Sequence, residues 1–140
     1  MSDDALQIII GVVLALHGLA HSMGILVGAK LLGNERWHSH SHLITGLIGD
    51  HTARSVAIAI WLVALLGFVG AGLGAMEILI PNEMWRPMAI FSALLSMVGL
   101  ALFWGAFVHV VNKLIAIAIN LAIIVLIIVL NWPSRNEYGF

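Results

Sequence analysis

Residues 114–130 read LIAIAINLAIIVLIIVL, an apolar run with a single polar side chain, Asn120. A hydrocarbon core about 30 Å thick is crossed by about 20 helical residues. Four segments of about this length are predicted to cross a membrane, namely residues 5–32, 54–76, 87–104 and 113–132. Backbone groups in lipid must be hydrogen-bonded within the segment, and no period-two alternation suggests a barrel, so each segment is predicted to be a helix. The predicted fold class is therefore all-α, a single-domain integral membrane four-helix bundle.

The composition agrees with a membrane location and excludes several other classes. Hydrophobic residues make up 61% of the 140 residues and charged residues 9%, against roughly 25% charged in a soluble domain. The net charge of −1 offers no basic patch to a nucleic acid. The absence of cysteine removes thiolate metal sites, iron–sulfur clusters and covalently attached haem. The expected partners are the lipid bilayer and other membrane protein subunits or further copies of this chain, with no nucleic acid.

The distribution of basic residues predicts an orientation. With four spans, the first and third loops lie on one side of the membrane, and the termini and the second loop on the other. The first side holds Lys30, Arg36, Arg54 and Lys113, and the second holds Arg86 and Arg135. Because short cytoplasmic loops carry the excess of Lys and Arg, the first and third loops are predicted to face the cytoplasm of a multi-pass protein of the cell membrane.

Small residues recur at helical spacing on three of the spans. They are Ala20, Gly24 and Gly28 on the first, Gly67, Gly70 and Gly74 on the second, and Ser92, Ser96 and Gly99 on the third. Helices in lipid approach one another closely through small side chains. We expect these three spans to pack through these stripes.

Two histidines lie four residues apart in the first span, in the stretch LHGLAHSMG. On a helix, His17 and His21 share a face with Gly24, which predicts that both imidazoles point into the bundle. Asn120 is expected to face the same interior. Three interpretations remain open: hydrogen bonds across the bundle to Asn120 or Ser96, ligation of a transition metal or haem, and proton or quinone chemistry.

A second group of histidines lies in the first loop, in the stretch WHSHSH. His38, His40 and His42, with His51 further on, have the composition of a metal-binding tract. The alternative is a solvated polar loop. His109 lies in the third loop on the same side of the membrane and is expected near the entrance to the membrane-embedded site. The candidate cofactor-binding residues are thus His17, His21, His109 and Asn120, and the candidate metal ligands are His38, His40, His42 and His51.

The chain resembles a family of small, largely uncharacterised prokaryotic four-span membrane proteins. The resemblance rests on the first-helix pattern LHGLxHxxG at residues 16–24, on Trp61 in the second span, and on Trp104 followed by Asn120. In overall plan the chain is also similar to the DoxX-like four-helix membrane proteins, some of which are subunits of quinone-linked oxidoreductases. That similarity implies a redox-associated subunit without indicating an active residue.

Two functions are compatible with these features. The first is a non-catalytic integral subunit that packs within a larger, redox-associated membrane complex, since the short loops leave little room for a soluble active site. The alternative is a histidine-based metal- or haem-binding module for redox chemistry or transport. No catalytic residue is predicted, and enzymatic activity is not expected.

Overall fold

The computed structural model describes residues 3–34 and 37–133 of the chain. Within that part there are six α-helices and no β-strand; the helices are α1 (Asp3–Ala20), α2 (Ser22–Gly28), α3 (Thr45–Ile48), α4 (Asp50–Ala75), α5 (Trp85–Leu102) and α6 (Val110–Ile124). Four helical segments are long and apolar enough to cross a membrane: Asp4–Gly28, Asp50–Ala75, Asn82–Leu102 and Val110–Val129. The predicted all-α fold with four spans is confirmed.

The helices are arranged around α4. The first span, formed by α1 and α2, packs along α4, which packs on its other side against α5, and α5 packs against α6. The first and fourth spans meet only weakly. The bundle therefore has one loosely closed side, between α1 and α6.

Glycines allow the first three spans to approach closely. Trp61 of α4 is fully buried between Gly24 of α2 and Gly99 of α5. A Cβ atom added at Gly24 would lie 2.6 Å from Cδ1 of Trp61, and one added at Gly99 would lie 2.8 Å from Cη2 of the same ring. The small-residue stripes therefore lie at helix contacts, as expected, except that Ala20 is exposed.

The first two spans have bounds that differ from the predicted ones for local reasons. The first ends at Gly28 rather than at residue 32, because Lys30 has a positive φ of 60° that a helix cannot continue through. The second begins at Asp50 rather than at residue 54. An ion pair of 3.0 Å between Asp50 and Arg54 spans its first turn, where an acidic side chain is favoured.

The third and fourth spans also begin earlier than predicted. A 3₁₀ turn, Asn82–Met84, leads into α5, so Pro87 lies in the first turn of that helix, where proline is tolerated. The extended backbone of His109 precedes α6, which begins at Val110. The fourth span finishes with a short π-helical segment, Val125–Val129.

The first and third loops lie at the same end of the bundle and are in contact. The indole N–H of Trp37 donates to the carbonyl oxygen of Ala106 at 2.8 Å, and the backbone N–H of His38 donates to the carbonyl of Gly105 at 3.0 Å. This contact places the two loops on one side, as four spans require. Two basic residues used to predict the orientation, Arg36 and Arg135, lie outside the described residues.

Candidate functional site

Four side chains from three spans form a hydrogen-bonded chain in the interior of the bundle. Nε2 of His17 lies 2.9 Å from Oδ1 of Asn120, the Asn120 amide donates to Oγ of Ser96 at 2.8 Å, and that oxygen lies 2.8 Å from Nε2 of His21. Ser96 and Asn120 are 0% exposed, His21 is 2% exposed and His17 is 7% exposed. Of the three interpretations left open by the sequence, the one that the structure shows is hydrogen bonding across the bundle, to both Asn120 and Ser96.

The first span is interrupted at His21, and the imidazole of that residue explains why. Nδ1 of His21 lies 2.9 Å from the main-chain carbonyl oxygen of His17, the acceptor that the backbone N–H of residue 21 would use in a regular helix. The backbone N–H of His21 instead donates to the carbonyl of Gly18 at 3.0 Å, which is a 3₁₀ pattern. Competition between side chain and backbone for one carbonyl thus separates α1 from α2.

The partners of these four side chains fix the direction of every hydrogen bond. A carbonyl oxygen can only accept, so Nδ1 of His21 carries the proton, and Nε2 of the neutral ring accepts from the Ser96 hydroxyl. Oγ of Ser96 accepts from the Asn120 amide, and Oδ1 of Asn120 accepts from Nε2–H of His17. Nδ1 of His17 is then left with a lone pair.

Two aromatic side chains of α4 lie behind the histidines. The ring centroid of Phe68 is 4.7 Å from that of His17, and the centroid of Trp61 is 5.6 Å from that of His21. Both aromatic rings are fully buried. They hold the imidazoles on the side of the bundle that faces α5 and α6.

A cavity of about 480 Å³ lies against the hydrogen-bonded chain, between the first, third and fourth spans. Its wall is mainly apolar, and its polar lining is His17, His21, Ser96 and Asn112. Leu16 of α1 and Ile115 of α6 both line the cavity and are 62% and 52% exposed. The cavity therefore opens laterally, where a bilayer would surround the protein, and its volume is within the usual range for a small-molecule site.

Nδ1 of His17 is a ring nitrogen without a protein partner among the described residues, on a residue that lines this cavity. No hydrogen-bond partner for it exists among residues 3–34 and 37–133. Nε1 of Trp61 and Oγ of Ser92 also lack a partner within that part of the chain and are fully buried, whereas Nδ1 of His17 does not belong to this fully buried group. A polar atom without a protein partner that is not sealed in, on a residue that lines the cavity, is open to a ligand there.

The arrangement does not fit a metal ion or haem shared by His17 and His21. Both ring nitrogens of His21 and Nε2 of His17 are already within hydrogen-bond distance of protein groups. A metal would have to displace Asn120 or Ser96 from these nitrogens. Within the described parts of the chain, no group of three or more His, Cys, Asp or Glu residues could hold a metal ion.

The structure brings some of the loop histidines together but not all of them. The ring centroids of His38 and His40 are 6.0 Å apart, those of His40 and His42 are 5.4 Å apart, and Nδ1 of His38 accepts the backbone N–H of His40 at 3.2 Å. His51 is exposed in the first turn of α4. His109 is exposed before α6 and does not line the cavity. Metal binding by these residues gains no support from the geometry.

The cavity also includes residues that were not among the predicted site residues. Asn112 lies two helical turns before Asn120, so its spacing along the fourth span was the available signal. Leu100 reaches the cavity from the end of α5, and Phe107 reaches it from the third loop. Nothing in their sequence context distinguishes them from lipid-facing apolar residues.

No protein-family model, curated protein or solved structure matches this chain. The resemblance to four-span proteins with an LHGLxHxxG first helix therefore stays a prediction.

Proposed function

We propose that this protein is a membrane-embedded binding module for a small lipid-soluble molecule, which enters from the bilayer between the first and fourth spans. The observation that carries the proposal is the laterally open cavity of about 480 Å³ with the His17–Asn120–Ser96–His21 chain beside it. An apolar wall favours a hydrocarbon body, and the few polar atoms favour one hydrogen-bonding headgroup. This is a modified form of the histidine-based alternative, without a metal or haem.

The lining of the cavity supports binding rather than catalysis. Among the described residues, those that line it include two titratable side chains, His17 and His21, and no Asp, Glu, Lys, Arg or Cys. Ser96 and His21 have the spacing of a nucleophile and its base, but Ser96 is fully buried and its Oγ already accepts from Asn120. That oxygen is thus engaged with both His21 and Asn120, which does not favour its attack on a substrate carbonyl.

The side chains that form the hydrogen-bonded chain also argue against proton transfer along it. Asn120 lies between His17 and Ser96, and an amide does not exchange protons as an imidazole or a hydroxyl does. The chain is better suited to hold its groups in fixed orientations than to conduct protons.

The binding proposal is tested by filling the cavity. Ala20 lines the cavity and is exposed, so Ala20→Phe adds a ring at its opening without a buried clash. Ala118→Phe makes the same change at an exposed site of α6 outside the lining. Native mass spectrometry of protein released from its own membranes should show a bound small molecule on the wild type and on Ala118→Phe, but not on Ala20→Phe. The same spectrum for all three proteins contradicts the proposal.

A second candidate is the non-catalytic subunit of a larger membrane complex. The observation that favours it is the fourth span, in which 11% of residues are buried against 33–44% in the other three. A photo-crosslinking residue at Leu121, exposed on α6, should then capture a protein partner, whereas one at Leu62, exposed on α4, should capture lipid. Lipid adducts at both positions contradict this candidate.

For the location we propose the cell membrane, with the first and third loops in the cytoplasm. The excess of basic residues in these loops supports this orientation. Because the chain has no cysteine, single cysteines report their own accessibility. A membrane-impermeant maleimide should label Glu83→Cys in intact cells and His42→Cys only after permeabilisation. The reverse pattern contradicts the orientation.

A further inference from the structure

We infer that the cavity selects a ligand whose headgroup donates a hydrogen bond, an alcohol or phenol with an apolar body, over one that only accepts, such as a ketone or an ether. This inference rests on the proposed binding function. It follows from the direction of the hydrogen bonds, which leaves a lone pair on Nδ1 of His17, a residue that lines the cavity.

The direction of these hydrogen bonds is set at the His21 end, by a group that can only accept a hydrogen bond. The main-chain carbonyl of His17 has no proton to donate, and it lies 2.9 Å from Nδ1 of His21. Reversing the chain would require the Ser96 hydroxyl to accept from Nε2–H of His21. The lone pair of the neutral His21 ring would then face that carbonyl oxygen, and the hydrogen bond would be replaced by a repulsion.

The other links then leave one acceptor for a ligand. The Asn120 amide donates to Ser96 through Nδ2 and accepts from His17 through Oδ1. Asn120 is fully buried and is not part of the cavity lining, so its remaining N–H and lone pair do not meet a ligand there. Nδ1 of His17 is therefore the hydrogen-bond acceptor that these four side chains offer to a ligand in the cavity. A hydroxyl satisfies it, whereas a carbonyl or ether oxygen would place two lone pairs against each other and leave both unpaired.

Asn112 does not remove this selectivity. It lines the cavity, but it is exposed, and its amide both donates and accepts. It can therefore contact either kind of headgroup, and its contribution does not distinguish them.

The test uses a matched pair of probes, 4-nonylphenol and 4-nonylanisole, which have the same body and differ in that a methyl group replaces the hydroxyl proton in the second. Binding to wild-type protein in lipid nanodiscs is measured against the mole fraction of each probe in the bilayer, so that partitioning into lipid cancels. The phenol should bind about tenfold more tightly than the ether, as one unmatched polar contact implies. On His17→Leu the two probes should bind with equal affinity, whereas Asn112→Leu should keep the preference.

The possible outcomes separate the two proposals. Equal binding of both probes to the wild type, or tighter binding of the ether, overturns the selectivity and leaves the binding function standing. No saturable binding of either probe overturns the binding function and the selectivity with it. If His17→Leu fails to fold, the ¹⁵N resonance of Nδ1 of His17 in the wild type decides, because accepting from the phenol must shift it and the ether must not.

Discussion

The main-chain carbonyl of His17 accepts a hydrogen bond from Nδ1 of His21 across 2.9 Å, and this contact determines which nitrogen is protonated in both rings. We predict that His21 is protonated at Nδ1 and His17 at Nε2, which are opposite tautomers one helical turn apart. Solid-state ¹⁵N–¹³C NMR of histidine-labelled protein in lipid, at a pH where both rings are neutral, distinguishes the two forms. The same tautomer at both positions would show that the direction of the hydrogen bonds is wrong.

The Asn120 amide joins the first and third spans, so its removal should be costly. Asn120→Leu leaves Nε2–H of His17 without its acceptor and Ser96 without a donor. We expect the free energy of unfolding to fall by about 1–3 kcal/mol. Titration with SDS in mixed micelles measures the change. Asn112→Leu on the same helix is the control, because Asn112 is exposed and should shift the value by less than about 0.5 kcal/mol.

Gly24 is needed for the contact between α2 and Trp61. Gly24→Ala places a methyl group 2.6 Å from Cδ1 of a ring that is fully buried and has no free direction in which to move. We expect a loss of about 1–3 kcal/mol from overpacking. Gly46→Ala is the matched control in α3, since nothing lies within 4 Å of the added Cβ atom. Equal stability of the two variants in the same micelles would contradict this packing.

The Trp37 indole holds the first loop against the third. Trp37→Phe removes the donor to the Ala106 carbonyl. A hydrogen bond of about 1 kcal/mol corresponds to a change of about fivefold in local opening. Hydrogen–deuterium exchange at the His38 amide, which donates to Gly105, should accelerate by about that factor. Trp132→Phe at the opposite end should leave this amide unchanged, and acceleration in both variants would indicate general loosening.

Ser96 should be chemically inert in spite of its contact with His21. Because its Oγ is buried and occupied, an alkyl fluorophosphonate added to the folded protein should leave Ser96 unmodified. Intact-protein mass spectrometry gives the result, with a serine hydrolase in the same micelles as the positive control. An adduct that is present on the wild type and absent from Ser96→Ala would contradict a non-catalytic site.

The fold and part of the site are predictable from the sequence because lipid imposes strong constraints. Apolar runs of about 20 residues leave the helix as the structure for each span. Asn120 and Ser96 are among the few polar side chains within the spans, so they were natural partners for His17 and His21. These interactions can be predicted without knowing how the loops fold.

Other features depend on distances that no sequence pattern reports. The interruption of the first span arises because the His21 ring reaches the His17 carbonyl, whereas helical periodicity predicts a continuous helix. The cavity arises because α1 and α6 do not close against each other, so Ala20 of the predicted packing stripe faces an opening instead. Both features follow from how the spans are placed relative to one another.

The weak contact between the first and fourth spans makes the surrounding lipid part of the architecture. The hydrogen bond from His17 to Asn120 is a polar link across this side of the bundle, and on either side of it acyl chains can replace protein contacts at little cost. We therefore expect lateral pressure and bilayer thickness to act on the width of the opening. On the proposed binding function, the residence time of a ligand would depend on the membrane as much as on the polypeptide.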